Sequence, residues 1–90
     1  MKLSDYLNAL RGNQAMLCAD IGAHSPDMSR WATGARPIPA DRCPSIERFT
    51  RGAVTCEEMR PDVRWHRIRD KTWPNPGGRP LIDVAVVAQA

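Results

Sequence analysis

Glycines at positions 12, 22, 34 and 52 divide the first half of this chain into short segments, and between them the apolar residues recur at helical spacing. A glycine adopts the left-handed conformation that ends a helix or turns a chain sharply. The first half is therefore predicted to fold as a run of short helices, each closed at its C-terminal end by glycine, rather than as strands or one long helix.

In LSDYLNAL, residues 3–10, Leu3, Tyr6, Leu7 and Leu10 make one apolar face, with Ser4 as N-cap and Asp5 suited to the positive first turn. NQAMLCADI, residues 13–21, starts at Asn13 as N-cap and carries Ala15, Leu17, Cys18, Ala19 and Ile21 as its small or apolar residues. SPDMSRWAT, residues 25–33, has Ser25 as N-cap, Pro26 at the first helical position and Asp27 in the first turn. Its spacing turns Met28, Trp31 and Ala32 inward and Ser29, Arg30 and Thr33 outward. ARPIP is a rigid connector, and residues 40–50 form a fourth helix broken or kinked at Pro44, with Ile46 and Phe49 on its apolar side. Thr55 caps a short fifth helix, CEEM, with Trp65 expected as a core clamp beneath it.

Beyond residue 61 the texture changes. DVRWHRIRDKTW is basic and aromatic, PNPGGRP is rich in turn formers, and LIDVAVV is β-branched. The expected organisation is a helical domain over residues 1–65 and a C-terminal tail over 66–90, flexible or ending in a short strand.

Size and composition exclude several classes. Ninety residues and 10.0 kDa make one domain with a modest core. No stretch reaches the roughly 20 apolar residues of a membrane span, and MKLSDYLNALRG lacks the apolar centre of an export signal. The 3 cysteines form no CxxC pair, and His24 and His66 stand at no metal-ligand spacing. Reduced thiols in a cytoplasm are expected, with no metal, no cofactor and no catalysis, since no acid–base pair or nucleophile motif is present. The net charge is +3, and residues 35–71 supply all of it, with nine basic groups against six acidic. That balance weakly favours an acidic partner such as nucleic acid.

The most informative segment runs from Gln14 to Gly34. Helix, glycine turn and second helix make a helix-turn-helix, with Cys18 and Ala19 as small residues at the crossing and Leu17, Ile21, Met28 and Trp31 as the wedge between helices. The string QAMLCADIGAHSPDMSRWATG resembles the helix-turn-helix of the Cro/cI-type phage repressor superfamily. RPIPADRCPSIERFTRGAVTCEEMRPDVRW is similar to the YdaS-like family of small Cro-like regulators of prophage immunity regions, often described as antitoxins. The resemblance covers roughly residues 1–65 and implies an all-α, five-helix, lambda repressor-like fold.

Carried over position by position, the resemblance implies roles. Ser25, Pro26, Ser29 and Arg30 fall on the face that touches bases, and Gln14, Arg36 and Arg42 fall where phosphates are held. Pro26 departs from the usual polar pair, because proline donates no hydrogen bond; its contact with a base is limited to an apolar one, such as a thymine methyl. The implied function is sequence-specific binding of double-stranded operator DNA as a repressor, acting in the cytoplasm at the nucleoid. LIDVAVV is the candidate contact for self-association on DNA. Two rivals stand beside this reading: an antitoxin that contacts a toxin partner directly through residues 66–90, and an interaction module that uses the fold without DNA.

Overall fold

The computed structural model describes residues 1–82. Its elements are α1 (Leu3–Ala9), α2 (Asn13–Ile21), α3 (Ser25–Thr33), a single 3₁₀ turn (Ala40–Arg42), α4 (Cys43–Phe49), α5 (Cys56–Met59), β1 (Trp65–Ile68) and β2 (Arg79–Ile82). The five helices fall where the glycine punctuation put them. Of the predicted LIDVAVV strand, Leu81 and Ile82 end β2, and the remainder lies outside the described residues.

The helix starts differ in detail from the expectation. Ser4, Asn13 and Ser25 each stand inside their helix, and Lys2, Gly12 and His24 occupy the N-cap positions without a side-chain cap. Two of these side chains have partners elsewhere. The Asn13 amide donates to the Tyr6 carbonyl at 2.9 Å, tying α2 to α1, and the Ser25 hydroxyl accepts from Gln14. Thr55 caps α5 as predicted, in a full capping box with Glu58. Pro44 does not kink a continuous helix. The 3₁₀ turn ends first, and Pro44 lies in the first turn of α4, where a missing N–H costs nothing.

The core joins all five helices. Leu3 and Leu7 of α1, Leu17 and Cys18 of α2, Met28 of α3, Ile38 of the connector, Cys43 and Ile46 of α4, Val54 and Cys56 are all buried. Tyr6 and Phe49 meet edge to face with ring centroids 6.5 Å apart. Trp31 and Trp65 are half-buried against this core, and the Trp65 indole donates to the Arg60 carbonyl at 3.0 Å. Leu10 departs from the predicted apolar face and is 68% exposed, because α1 ends at Ala9 and Leu10 turns extended. Ala19 is exposed as well, while its neighbour Cys18 is buried.

The C-terminal segment forms a strand pair. β1 and β2 are antiparallel, with Trp65 opposite Ile82, His66 opposite Leu81, Arg67 opposite Pro80 and Ile68 opposite Arg79. Alternation along the strands turns Arg67 and its buried partner Pro80 toward the helices and leaves His66 and Leu81 exposed. Gly78 is obligatory here: its φ is +98°, and a Cβ would lie 2.1 Å from the Ile68 carbonyl oxygen.

The pair is fastened to α4 by a buried carboxylate. Glu47 has no exposed surface. Its Oε1 accepts from the Cys56 main-chain N–H at 3.0 Å and from Arg67 at 2.6 Å. Its Oε2 accepts from Arg67 at 2.9 Å and from the Trp73 indole at 2.6 Å. Arg67 also donates to Glu57 and to the Gly78 carbonyl. Burial by itself would push the Glu47 carboxyl up, but the donors from Arg67, Trp73 and Cys56, with the charge of Arg67, hold it below the ordinary carboxylate value. The hydrogen bond from Arg67 lowers Glu57 too, and the two carboxylates raise Arg67.

A carboxyl lowered on folding contributes stability that is fully present above its unfolded value, about pH 4.3, and is lost as pH falls through the folded value. Stability measured by urea denaturation is therefore expected to decline below about pH 4.3. Glu47→Gln leaves Arg67 without its buried countercharge. It should lower stability at pH 7 by about 3–5 kcal/mol and flatten the acid decline. A variant as stable as the wild type at neutral pH would contradict this role for Glu47.

Candidate nucleic-acid interface

The geometry of α2 and α3 begins at Gly22. With φ at +69° it closes α2, and the Ala23 N–H donates to the Cys18 carbonyl at 3.0 Å. Leu17, Cys18 and Met28 are buried at the junction, and Ile21, Ala23 and Trp31 pack partly buried around them. These contacts leave Ser25, Pro26, Ser29 and Arg30 of α3 exposed.

One side chain of α2 organises the start of α3. Gln14 Nε2 lies 3.1 Å from the Ser25 carbonyl oxygen, 2.9 Å from Ser25 Oγ and 2.9 Å from Ser29 Oγ. The carbonyl can only accept, so it is the amide nitrogen, not the oxygen, that faces the two serines. Both hydroxyls accept from Gln14, and each keeps its own hydrogen for donation elsewhere. The exposed serines are thereby set as donors. The main-chain N–H groups of Gln14 and Ala15, in the first turn of α2, have no acceptor among the described residues.

The predicted basic residues sit in three environments. Arg30 is exposed on α3, and its Nη1 lies 3.2 Å from Asp27 Oδ1. Arg36 is exposed just past Gly34, its main-chain N–H bonded to the Arg30 carbonyl at 3.3 Å and its side chain unpaired among the described residues. Arg42 is partly buried and donates through Nη1 to the carbonyl of Ile21, the last residue of α2. That bond ties the 3₁₀ turn to the helix-turn-helix, and the other guanidinium donors of Arg42 have no partner among the described residues. Gln14, Ser25, Ser29, Pro26 and Arg30 thus come together on one surface, with Arg36 beyond the end of α3 and Arg42 beyond the end of α2.

Sequence reasoning missed the partner of Arg30. Asp27 has the position of a first-turn acid, and its i,i+3 spacing from Arg30 is the local signal for a helical ion pair. Sequence reasoning also missed Glu47, Arg67 and Trp73 as a unit, since their separations of 20 and 26 residues leave no local pattern. Among the described residues no group of three His, Cys, Asp or Glu side chains is placed to hold a metal ion. All three cysteines are buried, and burial raises each thiol, Cys43 to about 12. They are thus held protonated rather than as nucleophilic thiolates.

This chain is similar to known proteins in structure and in sequence. The Cro protein from the "putative prophage element Xfaso 1" of Xylella fastidiosa strain Ann-1 superposes with a TM-score of 0.58 at 41% identity, over 71% of this chain and 97% of that one. "Putative transcriptional regulator YdaS" of Escherichia coli (strain K12) is 46% identical over 61 residues, which span 68% of this chain and 62% of that protein. The family described as "Bacterial toxin YdaS" matches residues 7–68. The match takes in the end of α1, all of α2 to α5 and β1, so the chain belongs to the YdaS family and carries a Cro-type helix-turn-helix fold.

Proposed function

We propose that this chain is a sequence-specific double-stranded DNA-binding regulator, a Cro-like repressor of a phage or prophage immunity region, with no catalytic activity. The observation that carries this reading is the bonding of Gln14 to Ser25 and Ser29, which orders an exposed polar surface at the start of α3. Its likeness to a Cro protein and a regulator supports the same conclusion. In the proposed complex α3 lies in the major groove, with its N-terminal residues toward the base edges.

Each residue then has a chemical task. Ser25 and Ser29 donate to base acceptors such as guanine N7 or thymine O4, and Pro26 contacts a thymine methyl. Arg30 offers parallel N–H donors to guanine O6 and N7. The Gln14 side-chain amide is engaged by the serines, so its phosphate contact comes from the main-chain N–H groups at the start of α2. Arg36 and the open donors of Arg42 hold neighbouring phosphates. Two protomers occupy paired half-sites, with the C-terminal segment as their contact, and the protein works in the cytoplasm at the nucleoid.

Binding to a duplex selected from a randomised library should weaken steeply with salt, log K falling against log salt by about 0.9 per phosphate contact. Arg36→Ala should reduce that slope by about one contact while leaving the preferred sequence unchanged. An affinity independent of salt would contradict the phosphate contacts.

Arg30 and its neighbour Trp31 should fail differently. Arg30→Ala should shift stability by no more than about 0.5 kcal/mol, weaken specific binding by about 1–3 kcal/mol and relax preference at one base pair. Trp31→Ala should destabilise the fold, by less than the roughly 3–5 kcal/mol of a fully buried ring because this one is half-buried. Equal loss of affinity for all sequences with Arg30→Ala would make Arg30 a phosphate contact. Thermal melts and gel shifts on the two variants separate these outcomes.

A further inference from the structure

An exposed carboxylate on a helix that meets DNA calls for a reason, because it repels the phosphates on either side of the groove. Asp27 is such a group. It stands on α3 between Pro26 and Ser29, with its side chain 44% exposed, and Arg30 is its only side-chain partner among the described residues. Its place in the first turn of α3 suits the helix dipole, which accounts for an acid here but not for its bond to Arg30. An exposed pair at this spacing adds little to a fold, and α3 already has Met28 packed in the core.

The geometry of the pair suggests another use. Asp27 Oδ1 takes a hydrogen bond from Arg30 Nη1 at 3.2 Å. The opposite edge of the guanidinium, Nε–H with Nη2–H, has no partner among the described residues, and these are two parallel donors at the spacing of guanine N7 and O6. A free arginine must lose several rotatable degrees of freedom to present that edge. Here a carboxylate one turn back on the same rigid helix holds the other side of the fork and limits the side chain before DNA arrives.

We propose that Asp27 is the positioning residue for Arg30. It sharpens recognition of guanine by holding the Nε–Nη2 edge outward, while its charge weakens binding to DNA in general. The proposal rests on the reading of Arg30 as a base contact.

The test compares the wild type with Asp27→Asn, Asp27→Glu, Arg30→Ala and the double variant Asp27→Asn/Arg30→Ala. The probes are a duplex selected by the wild type from a randomised library and a scrambled duplex of equal length. The readout is the ratio of the two affinities, with thermal melts confirming that each variant folds. Asp27→Asn should raise affinity for the scrambled duplex, since a negative charge is gone. It should also lower the ratio by about two- to tenfold, the order of the cost of immobilising one long side chain. The lost preference should fall at the base pair that Arg30→Ala also relaxes. Asp27→Glu, which keeps a carboxylate within reach, should retain most of the ratio. In the Arg30→Ala background, Asp27→Asn should leave the ratio unchanged.

Four results would overturn the proposal. An equal rise in affinity for both duplexes would make Asp27 a repelling charge and nothing more. Loss of preference at a different base pair that persists without Arg30 would make Asp27 a direct base contact. If Arg30→Ala itself leaves the ratio intact, the reading of Arg30 as a base contact fails and the positioning role fails with it; if Arg30→Ala lowers the ratio and Asp27→Asn does not, only the positioning role fails.

Discussion

A carboxylate with no exposed surface is the constraint around which this small protein is arranged. Glu47 cannot stay charged in the interior unless donors surround it, since an unpaired buried charge costs several kcal/mol. The donors come from separate parts of the chain: the first amide of α5, Arg67 on β1 and Trp73 in the loop between the strands. Each of these elements is short, and a two-stranded pair in water is marginal by itself. Convergence on one residue of α4 turns three weak elements into a single support. That support reaches the helix-turn-helix through the start of the same region, where Arg42 bonds the last carbonyl of α2, and through the shared core of Cys43, Ile46, Leu17 and Met28.

On that support the exposed side of α3 is ordered by polar contacts of a different kind. Gln14 bonds two serines that solvent would otherwise leave rotating, and Asp27 bonds Arg30. Neither set adds much to stability, because exposed hydrogen bonds and ion pairs compete with water. Their effect is on the cost of ordering side chains at a partner. The division of labour follows burial: the interior carboxylate ties the short elements to α4, and the exposed amide and carboxylate hold the polar side chains on the outer face of α3.

The helical part of the fold was legible because its signals are local. Gly12, Gly22 and Gly34 end segments whose apolar spacing is helical, and Thr55 with Glu58 forms a cap within four residues of sequence. What the sequence misstated was where short polar side chains find partners. Asn13 and Ser25 have the chemistry of N-caps, yet tertiary partners at Tyr6 and Gln14 hold them one position inside their helices. Leu10 continued an apolar face on a helix that had already ended. The strand pair was the least legible element. WHRI reads as part of a basic run because the carboxylates that accept Arg67 are ten and twenty residues away. The turn-rich WPNPGG segment gives no hint that its tryptophan enters the helical body. On α3, helical phase marked Ser29 and Arg30 as outward, and the family resemblance put Ser25 and Pro26 on the same face; all four are exposed. The donor setting of the serines needed coordinates, because it depends on which end of an amide faces a carbonyl.

The most direct measurement is a titration of the isotopically labelled protein with a selected duplex, followed through its backbone amide resonances. If α2 and α3 form the DNA-binding surface, the largest shifts at saturation fall on Gln14, Ala15 and the amides from Ser25 to Arg30, apart from Pro26, which has none. Saturable binding that leaves those amides unmoved, with the largest shifts elsewhere in the chain, would contradict the assignment of this surface to DNA.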